Sequence, residues 1–445
     1  MRFGALLHPA DRRQAGSRGG ANRVRFYEGD ERMASTRSIV KSLLSTGMAV
    51  LLWATGLAVS SPAAALAVIV VGTPSASCPN PQHATIQAAV DAASAGDTIR
   101  VCAGTYNEAV TVNKSLLFRG ARAGVDARVG RTNPAQESIV QPPAGSTGFT
   151  VTGGVNDVTI DGFTVRDSTA DGIDTLTGGS GFTIVNNIIT GNRIGINFRS
   201  PGTISSPSVI RQNRLVDNNN SLPQGGTGVF LGGGQGTNFT SITQNRFSGH
   251  VNADVNTQGV LDGSDPAEEL SITGNASVDS STFLVLINAD APRVTTNQIT
   301  KNSALPAGSA MLIDSNTDQA RIQGNTITGG AGTGINVTAQ FGSLEPSTNL
   351  NVRGNVINSR TNGVSISGLD SGTFSGNIAQ RSSNNGIQVN SSVTPAVPLV
   401  FSGNVATGSS VWDANDDTSG GGTAGTANTW TGNVCPKDDP NGICV

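Results

Sequence analysis

The sequence predicts an all-β fold in which one chain winds into a coil of about a dozen turns. An asparagine returns about every 27 residues, in a frame that runs apolar, any residue, usually glycine, asparagine, any residue, apolar. A second motif, glycine followed by alternating apolar and polar residues, comes after most copies. No stretch after residue 140 shows a sustained helical periodicity of apolar residues. A repeat of this length is typical of stacked structural units.

Each copy of the asparagine frame predicts a corner between two short strands. The copy at residues 322–327 begins with Ile322 and ends with Ile327. In a straight strand this odd spacing puts the two side chains on opposite faces, so both can point inward only if the chain bends between them. Gly324 and Asn325 are residue types that tolerate the left-handed backbone of such a bend. We expect the recurring asparagines to form one hydrogen-bonded column, the Asn column: Asn187, Asn213, Asn245, Asn275, Asn297, Asn325, Asn355, Asn377, Asn404 and Asn433.

The glycine motif predicts a strand with one buried face. Apolar and polar residues alternate, with the period of a strand, after Gly172, Gly195, Gly334, Gly363 and Gly386. Each unit then holds about three short strands, and units that repeat with no helix between them can stack in parallel, roughly 4.8 Å apart. The prediction is a single-stranded parallel β-helix, a rod on the order of 50–60 Å long. A leucine-rich horseshoe fits less well, because leucine is scarce and holds no fixed position in the unit.

Residues 85–93 predict an N-terminal capping helix. Four apolar residues of this segment share one helical face: Ile86, Ala89, Val90 and Ala93. Glycine and aspartate at 96–97 end the helix before a strand at 98–101. The ends of a coil stack expose unpaired strand edges and apolar core, so they need caps of this kind.

The four cysteines predict two disulfides, Cys78 with Cys102 and Cys435 with Cys444. Each would stabilise the fold by roughly 2–4 kcal/mol. The first pair flanks the capping helix and the second closes a short C-terminal segment, so both lie where the coil needs closing. A metal site made of cysteines alone is the alternative, but it lacks the close-spaced pairs that such sites use.

The N-terminal region predicts export. A basic segment, an apolar run over residues 48–59 and a small-residue site ending at Ala67 follow one another, as in a secretory signal peptide. We expect the true start at Met33 and cleavage after Ala67, which would leave Val68 to begin the first strand. An uncleaved membrane anchor is the alternative, because apolar residues continue to Val71. The predicted organisation is an upstream segment with signal peptide (1–67), a cap with the first coils (68–120), β-helix repeats (121–433) and a disulfide-closed C-terminal cap (434–445).

The charge balance argues against a nucleic-acid partner. The whole chain has a net charge of −3, and removal of residues 1–67 takes away nine basic and four acidic residues, which leaves −8. A nucleic-acid binder needs a basic stripe. We expect a secreted or cell-surface monomer that makes no membrane contact after signal cleavage.

The N-terminal sequence resembles the opening of pectin-lyase-like proteins. The resemblance is carried by residues 85–93 (TIQAAVDAA), 96–99 (GDTI) and 104–108 (GTYNE), and the glycine–asparagine units extend it to about residue 433. It implies a secreted right-handed parallel β-helix, with Tyr106 and Glu108 as structural residues of the first coil. The catalytic signatures of pectinesterases, polygalacturonases, pectate lyases and alginate epimerases do not occur here. Membership of a fold does not by itself assign a function.

Four polar residues from adjacent units form the candidate site on the strand faces: Asp171, Asp174, Asn197 and Arg199. Outward residues of neighbouring strands can line a groove along the coil. Two carboxylates and an arginine there could bind calcium and a uronate, or carry out acid–base chemistry. Ordinary solvated strand faces are the alternative interpretation.

Two further sites are predicted from single segments. His250, near Asp254 in the longest unit, is a candidate general base, and an exposed loop histidine is the alternative. Asp413, Asn415 and Asp417 begin like a calcium loop and predict a loose cation site. A complete loop would have glycine at 418 and glutamate at 424, where this chain has threonine and alanine.

The leading functional hypothesis is an exported β-helix that binds an extracellular polysaccharide, with cleavage as a further step. The alternative is a non-catalytic cell-surface or adhesive scaffold. An enzyme of this kind would be a polysaccharide lyase or a glycoside hydrolase, with calcium as the candidate cofactor. The sequence leaves open whether the chain is catalytic and which polymer it binds.

Overall fold

The computed structural model describes residues 65–444 with six gaps: 201, 221–224, 233–237, 260–266, 303–307 and 341–344. The predicted start at Met33 and the apolar run of the signal peptide lie outside the described residues. Among the residues that are described, no helix is long and apolar enough to span a membrane.

The described chain is a coil of short parallel strands, as predicted. One turn runs through Arg321–Gln323, Thr326–Thr328 and Thr333–Val337, and each strand pairs with its counterpart in the next turn. The strands therefore stack into three long sheets, named here sheet 1, sheet 2 and sheet 3 in the order in which a turn visits them. Fourteen strands at roughly 4.8 Å spacing make sheet 1 about 60 Å long.

The bounds of the strands follow the chain through each sheet in order. Sheet 1 contains Val68–Val71, Thr98–Val101, Leu117–Arg119, Thr159–Asp161, Thr183–Val185, Ser208–Arg211, Thr240–Thr243, Ser271–Thr273, Arg293–Thr295, Arg321–Gln323, Leu350–Arg353, Gly372–Ser375, Val400–Ser402 and Thr429–Thr431. Sheet 2 contains Gly104–Tyr106, Ser138–Val140, Phe163–Arg166, Ile188–Thr190, Arg214–Val216, Arg246–Ser248, Ala276–Val278, Gln298–Thr300, Thr326–Thr328, Val356–Asn358, Ile378–Gln380 and Val405–Thr407. Sheet 3 contains Val110–Val112, Phe149–Val151, Asp171–Thr175, Ile194–Phe198, Thr227–Gly232, Ala253–Gly259, Thr282–Leu286, Met311–Ile313, Thr333–Val337, Asn362–Ile366, Ile387–Val389, Ala414–Asp416 and Asp438–Asp439. A small fourth sheet contains Ala267–Glu268, Ala289–Asp290 and Thr317–Asp318.

The core is a set of inward columns that run along the coil. In sheet 1, Ile184, Ile210 and Ile242 occupy the same register position in consecutive turns, and all are fully buried. Burial of each such side chain stabilises the fold by about 1.5–3 kcal/mol. Near the C-terminal end the column changes to aromatic rings, and Phe401 stacks on Trp430 with ring centroids 4.0 Å apart. Apolar residues in register thus hold successive turns together.

The capping helix spans Ile86–Ala92 and begins at Thr85, whose hydroxyl accepts a hydrogen bond from the amide of Ala88. The carboxylate of Glu108 accepts the amide N–H groups of Ile86 and Gln87, at 2.8 and 3.0 Å. Two short 3₁₀ turns lie at Pro134–Gln136 and Thr423–Gly425. Glu108 thus ties the first coil to the exposed amides of the helix N-terminus.

All four cysteines are paired, Cys78 with Cys102 and Cys435 with Cys444. The first disulfide joins the segment before the capping helix to the end of the second strand of sheet 1. The phenol of Tyr106 donates to the carbonyl oxygen of Cys102 at 2.9 Å, and burial raises the pKa of Tyr106 to about 12. The two disulfides lie at opposite ends of the coil.

The ten asparagines of the Asn column lie one above another at the corner between sheets 1 and 2. Asn325 donates from its amide nitrogen to the carbonyl oxygen of Val294 and to Oδ1 of Asn355, both at 2.9 Å. Its own Oδ1 accepts the backbone and side-chain N–H groups of Asn297. The residue before each asparagine has the left-handed backbone, with φ of 63° at Gly324 and 53° at Thr296. The bend therefore lies one residue before the asparagine, and glycine is common there because it adopts this conformation without strain.

Candidate functional site

Ion-paired side chains gather on the outward face of sheet 3, where strands Asp171–Thr175 and Ile194–Phe198 lie side by side. Asp174 pairs in register with Asn197, and both side chains point away from the core, because the neighbouring Ile173 and Ile196 point inward and are fully buried. The predicted residues Asp171, Asp174, Asn197 and Arg199 are brought together here, and Arg193 joins them. These five residues are the sheet 3 cluster.

Each carboxylate of the sheet 3 cluster has its own arginine. Arg199 binds Asp174 through two parallel contacts, Nη2 to Oδ2 at 2.6 Å and Nε to Oδ1 at 3.2 Å. Arg193 donates to Oδ1 of Asp171 at 2.7 Å, and the Asn197 amide donates to Oδ2 of the same carboxylate at 2.9 Å. The cluster is therefore close to neutral overall, and its geometry is held by charge-assisted hydrogen bonds.

The pKa of Asp174 is set by two opposing effects, burial and the pairing with Arg199. Burial raises the pKa of Asp174 above its ordinary value, and the pairing with Arg199 opposes this only in part. The side chain is largely shielded from water although it lies on the outer face of a sheet. A carboxyl group with a raised pKa is a candidate for proton transfer.

The outward column that contains Asp174 continues along the coil as Asn197 and then Phe230. Phe230 is partly exposed. Oδ1 of Asn197 is buried and has no hydrogen-bond partner among the described residues. A carboxylate, an unsatisfied amide oxygen and an aromatic ring thus follow one another at the spacing of the turns.

Sequence reasoning missed Arg193, which lies just before its strand. The signal was available, because Arg193 stands two residues before Gly195 as Ala170 stands two residues before Gly172. Alignment of the two units on these glycines puts Arg193 diagonally next to Asp171.

His250 is neither an exposed loop residue nor a general base in an open groove, the two interpretations that the sequence offered, because it is buried inside the coil. His250 is fully buried at the corner between sheets 2 and 3. Its Nδ1 lies 2.7 Å from Oδ1 of Asp254, and its Nε2 lies 3.1 Å from the amide nitrogen of Asn218. Because Oδ1 of Asn218 accepts from Asn192, the Asn218 nitrogen must donate, so Nε2 of His250 accepts and Nδ1 carries the hydrogen. His250 packs the inside of the coil and has no access to a polymer outside it.

The predicted cation site at Asp413, Asn415 and Asp417 is not assembled. Asp413 is buried and accepts backbone amides on both oxygens, from Ser409 at 2.9 Å and Lys437 at 3.2 Å. The side-chain amide nitrogen of Asn415 donates to Oδ1 of Asp417, so Asn415 presents a hydrogen-bond donor to this carboxylate and not an oxygen ligand to a cation. Across the described part of the chain, no group of three or more His, Cys, Asp or Glu side chains is placed to hold a metal ion.

A family model described as the right handed beta helix region matches residues 101–277 and 254–406. The chain belongs to this family. Membership confirms the right-handed β-helix that the resemblance in the N-terminal sequence implied. Among curated proteins, none matches this right-handed β-helix in sequence.

Several solved structures are similar to this chain at low sequence identity and with TM-scores below 0.5. An alginate lyase from Paenibacillus sp. str. FPU-7 is 15% identical with a TM-score of 0.43, over 74% of this chain and 99% of the lyase. The mannuronan C-5 epimerase AlgE6 A-module from Azotobacter vinelandii is 16% identical with a TM-score of 0.44, over 73% and 93%. A DFA-IIIase from Arthrobacter chlorophenolicus A6 is 14% identical with a TM-score of 0.43, over 63% and 84%. Likeness at this level concerns the fold and leaves the activity to be argued from the site.

Proposed function

We propose that this protein is exported and binds a linear extracellular polysaccharide across the outward face of sheet 3. The observation that carries the proposal is the Asn197 side chain, whose buried Oδ1 lacks a partner within the described residues while the side chains around it are paired. A buried polar atom without a partner costs about 1–3 kcal/mol. A sugar hydroxyl is a donor that would satisfy it.

The direction of the outward column suits a linear polymer. Asp174, Asn197 and Phe230 belong to three consecutive turns, so they are spaced by roughly 4.8 Å along the coil. Carboxylate and amide groups bind sugar hydroxyls, and the ring of Phe230 offers an apolar surface to the C–H face of a sugar. A chain of sugar rings that lies along the coil would meet all three groups in turn.

Cleavage is a separate step that needs a group able to transfer a proton. The raised pKa of Asp174 favours this role, whereas the two-point ion pair with Arg199 holds the carboxylate ionised. We therefore propose binding as the function and Asp174 as the group to test for cleavage. The disulfides fit an oxidising compartment, which supports the proposed export.

The test is a panel of polymers that includes polygalacturonate, alginate and neutral glucans. Binding is measured by retardation of the purified protein in gels that contain each polymer, and cleavage by the absorbance of unsaturated products with and without calcium. We expect retardation by at least one polymer. Absence of binding and of product across the panel would end the proposal and favour the adhesive scaffold.

A matched pair of variants locates the binding surface. Asn197→Ala removes the unsatisfied acceptor and should weaken binding about tenfold, or roughly 1.4 kcal/mol. Asn336 occupies the same outward column five turns further along, with similar exposure, so Asn336→Ala is the control and should bind as the parent protein does. Undiminished binding by a folded Asn197→Ala protein would place the polymer elsewhere.

A further inference from the structure

A cavity of about 340 Å³ lies on sheet 2, on a different face of the coil from the sheet 3 cluster. The segment between Leu117–Arg119 and Ser138–Val140 folds over the outer face of sheet 2 and roofs it. The floor of the cavity is formed by outward side chains at one register position of four consecutive strands of sheet 2. The first three are apolar or carry a hydroxyl and the last is an arginine: Ile139, Thr164, Ile188 and Arg214. This space is named here the loop cavity.

The roof of the loop cavity is anchored by a buried ion pair. Arg131 donates to both carboxylate oxygens of Glu137, and its guanidinium also donates to the carbonyl oxygens of Asn186 and Phe163. The hydroxyl of Thr164 donates to Oε2 of Glu137 at 3.0 Å. Glu137 is thus paired with Arg131, its direct ion-pair partner.

Arg214 lines the loop cavity with an uncompensated positive charge. No carboxylate of the described residues forms an ion pair with it, and its Nε is buried without a hydrogen-bond partner. Its register partner in the next turn is another arginine, Arg246. Burial and the charges of Arg246 and Arg131 lower the pKa of Arg214, and the nearby charge of Glu137 opposes them only in part. A guanidinium in this environment is stabilised by an anion that binds beside it.

The shape and chemistry of the loop cavity select among anions. Its volume is at the low end of the roughly 300–1,000 Å³ that is usual for ligand pockets, and it is open to solvent. Ile139 and Ile188 offer an apolar surface to the C–H face of a ring, and the hydroxyls of Thr164 and Thr190 can pair with ring hydroxyls. Arg214 presents the fork that matches a carboxylate or a sulfate.

We propose that the loop cavity binds one acidic sugar unit, with the Arg214 guanidinium paired to its carboxylate or sulfate. The sugar lies over Ile188 beneath the roof formed by residues 131–134. This site is separate from the sheet 3 cluster, so it gives the protein a second point of attachment to an acidic glycan and holds whether or not a polymer binds to sheet 3.

The test is calorimetric titration of the full purified protein with galacturonate, glucose 6-sulfate, glucose and inorganic sulfate. We expect the two acidic sugars to bind and glucose to bind at least about tenfold more weakly, with an affinity for the acidic sugars that falls as sodium chloride is raised. The relative affinity of galacturonate and glucose 6-sulfate distinguishes carboxylate from sulfate as the preferred group. Inorganic sulfate that binds as tightly as the acidic sugars, equal binding of glucose, or no binding of either acidic sugar would each overturn the proposal.

Substitutions assign the site. Arg214→Gln should reduce binding of the acidic sugars at least about tenfold, and Arg214→Lys should reduce it less, because lysine keeps the charge but loses the fork. Arg321→Gln is the control, since Arg321 is an exposed arginine on sheet 1, and it should leave binding unchanged. Thermal denaturation of each variant verifies the fold, and the salt dependence of the parent protein tests the proposal without any variant. Undiminished binding by a folded Arg214→Gln protein would overturn it.

Discussion

The two inward-facing corners of the coil differ in which residue follows the strand. At the corner between sheets 1 and 2, the second residue after the strand is asparagine in ten turns, which form the Asn column. At the corner between sheets 2 and 3, the second residue after the strand varies, and we name this set the mixed column: Ser168, Asn192, Asn218, His250, Ser280, Asn302, Gly330, Arg360, Ser382 and Ser409.

The two corners also differ in how uniform the connection is. In nine turns of the Asn column, two residues join the strands, such as Gly324 and Asn325 between Arg321–Gln323 and Thr326–Thr328. In the tenth turn, Gly432 and Asn433 lead from Thr429–Thr431 to Val434, which forms a bridge with Val405. The same backbone N–H and carbonyl groups are then left over in every turn, and an amide side chain supplies both a donor and an acceptor for them. At the mixed column the connection varies from three residues after Ile188–Thr190 to ten after Arg214–Val216. A uniform two-residue connection thus goes with one residue type, whereas the connections of varied length at the mixed column go with several.

The largest effect is expected from breaking the Asn column in its middle. Asn325→Ala removes the donors to Val294 and Asn355 and leaves the Asn297 amides without their acceptor. Because several buried groups lose partners at once, we expect the free energy of unfolding to fall by about 3–4 kcal/mol. Urea denaturation measures it. Asn351→Ala on the exposed face of a neighbouring strand is the control and should change stability by under about 0.5 kcal/mol.

A smaller loss is expected when the mixed column is made to imitate the Asn column. His250→Asn puts an amide next to Asn218 but leaves the buried carboxylate of Asp254 without the imidazole, its one side-chain partner within the described residues. We expect a loss of about 2–3 kcal/mol, because the unpaired charge must be buried or protonated. The double variant His250→Asn, Asp254→Asn should recover most of it, and a double variant as unstable as the single one would contradict this account.

Arg360 tests whether the mixed column tolerates a change of residue type. Its guanidinium is almost fully buried and donates to the carbonyl oxygens of Gly329, Gly308 and Thr333, and burial lowers its pKa to about 10. Arg360→Met loses these bonds but also removes a charge that the folded state disfavours, so we expect a loss of only about 1–2 kcal/mol. A loss as large as that of Asn325→Ala in the same denaturation experiment would erase the distinction between the two columns.

The smallest effect is expected outside both corners, at Asp174, and it depends on pH. The raised pKa of Asp174 means that the folded state binds its proton more tightly than the unfolded state does. Its contribution to stability is present at low pH and is lost as the pH rises from about 3.8 through the raised pKa. Asp174→Asn cannot titrate, so relative to the parent protein it should gain stability between pH 3 and pH 7, by under about 1 kcal/mol. Denaturation at both pH values checks the sign, and a relative loss at pH 7 would contradict it.

The amino-acid sequence was sufficient for features that repeat. The asparagine frame identified the corner, the glycine motif identified the strands of sheet 3, and the apolar face of residues 85–93 identified the cap helix. It was sufficient for part of the sheet 3 cluster, because Asp174 and Asn197 stand at equivalent positions of adjacent units. It failed for single residues: it put His250 outside the coil and proposed a cation site at Asp413.

The amino-acid sequence determined the path of the chain on its own, because strands and corners are specified by apolar alternation and turn residues within a few neighbouring positions. The tertiary structure alone decided which side chains meet, because the turns bring together residues that are 22 to 32 positions apart in sequence, such as Arg193 with Asp171 and His250 with Asn218. Whether a polar side chain at such a contact faces solvent or the core is settled only when neighbouring turns pack against each other.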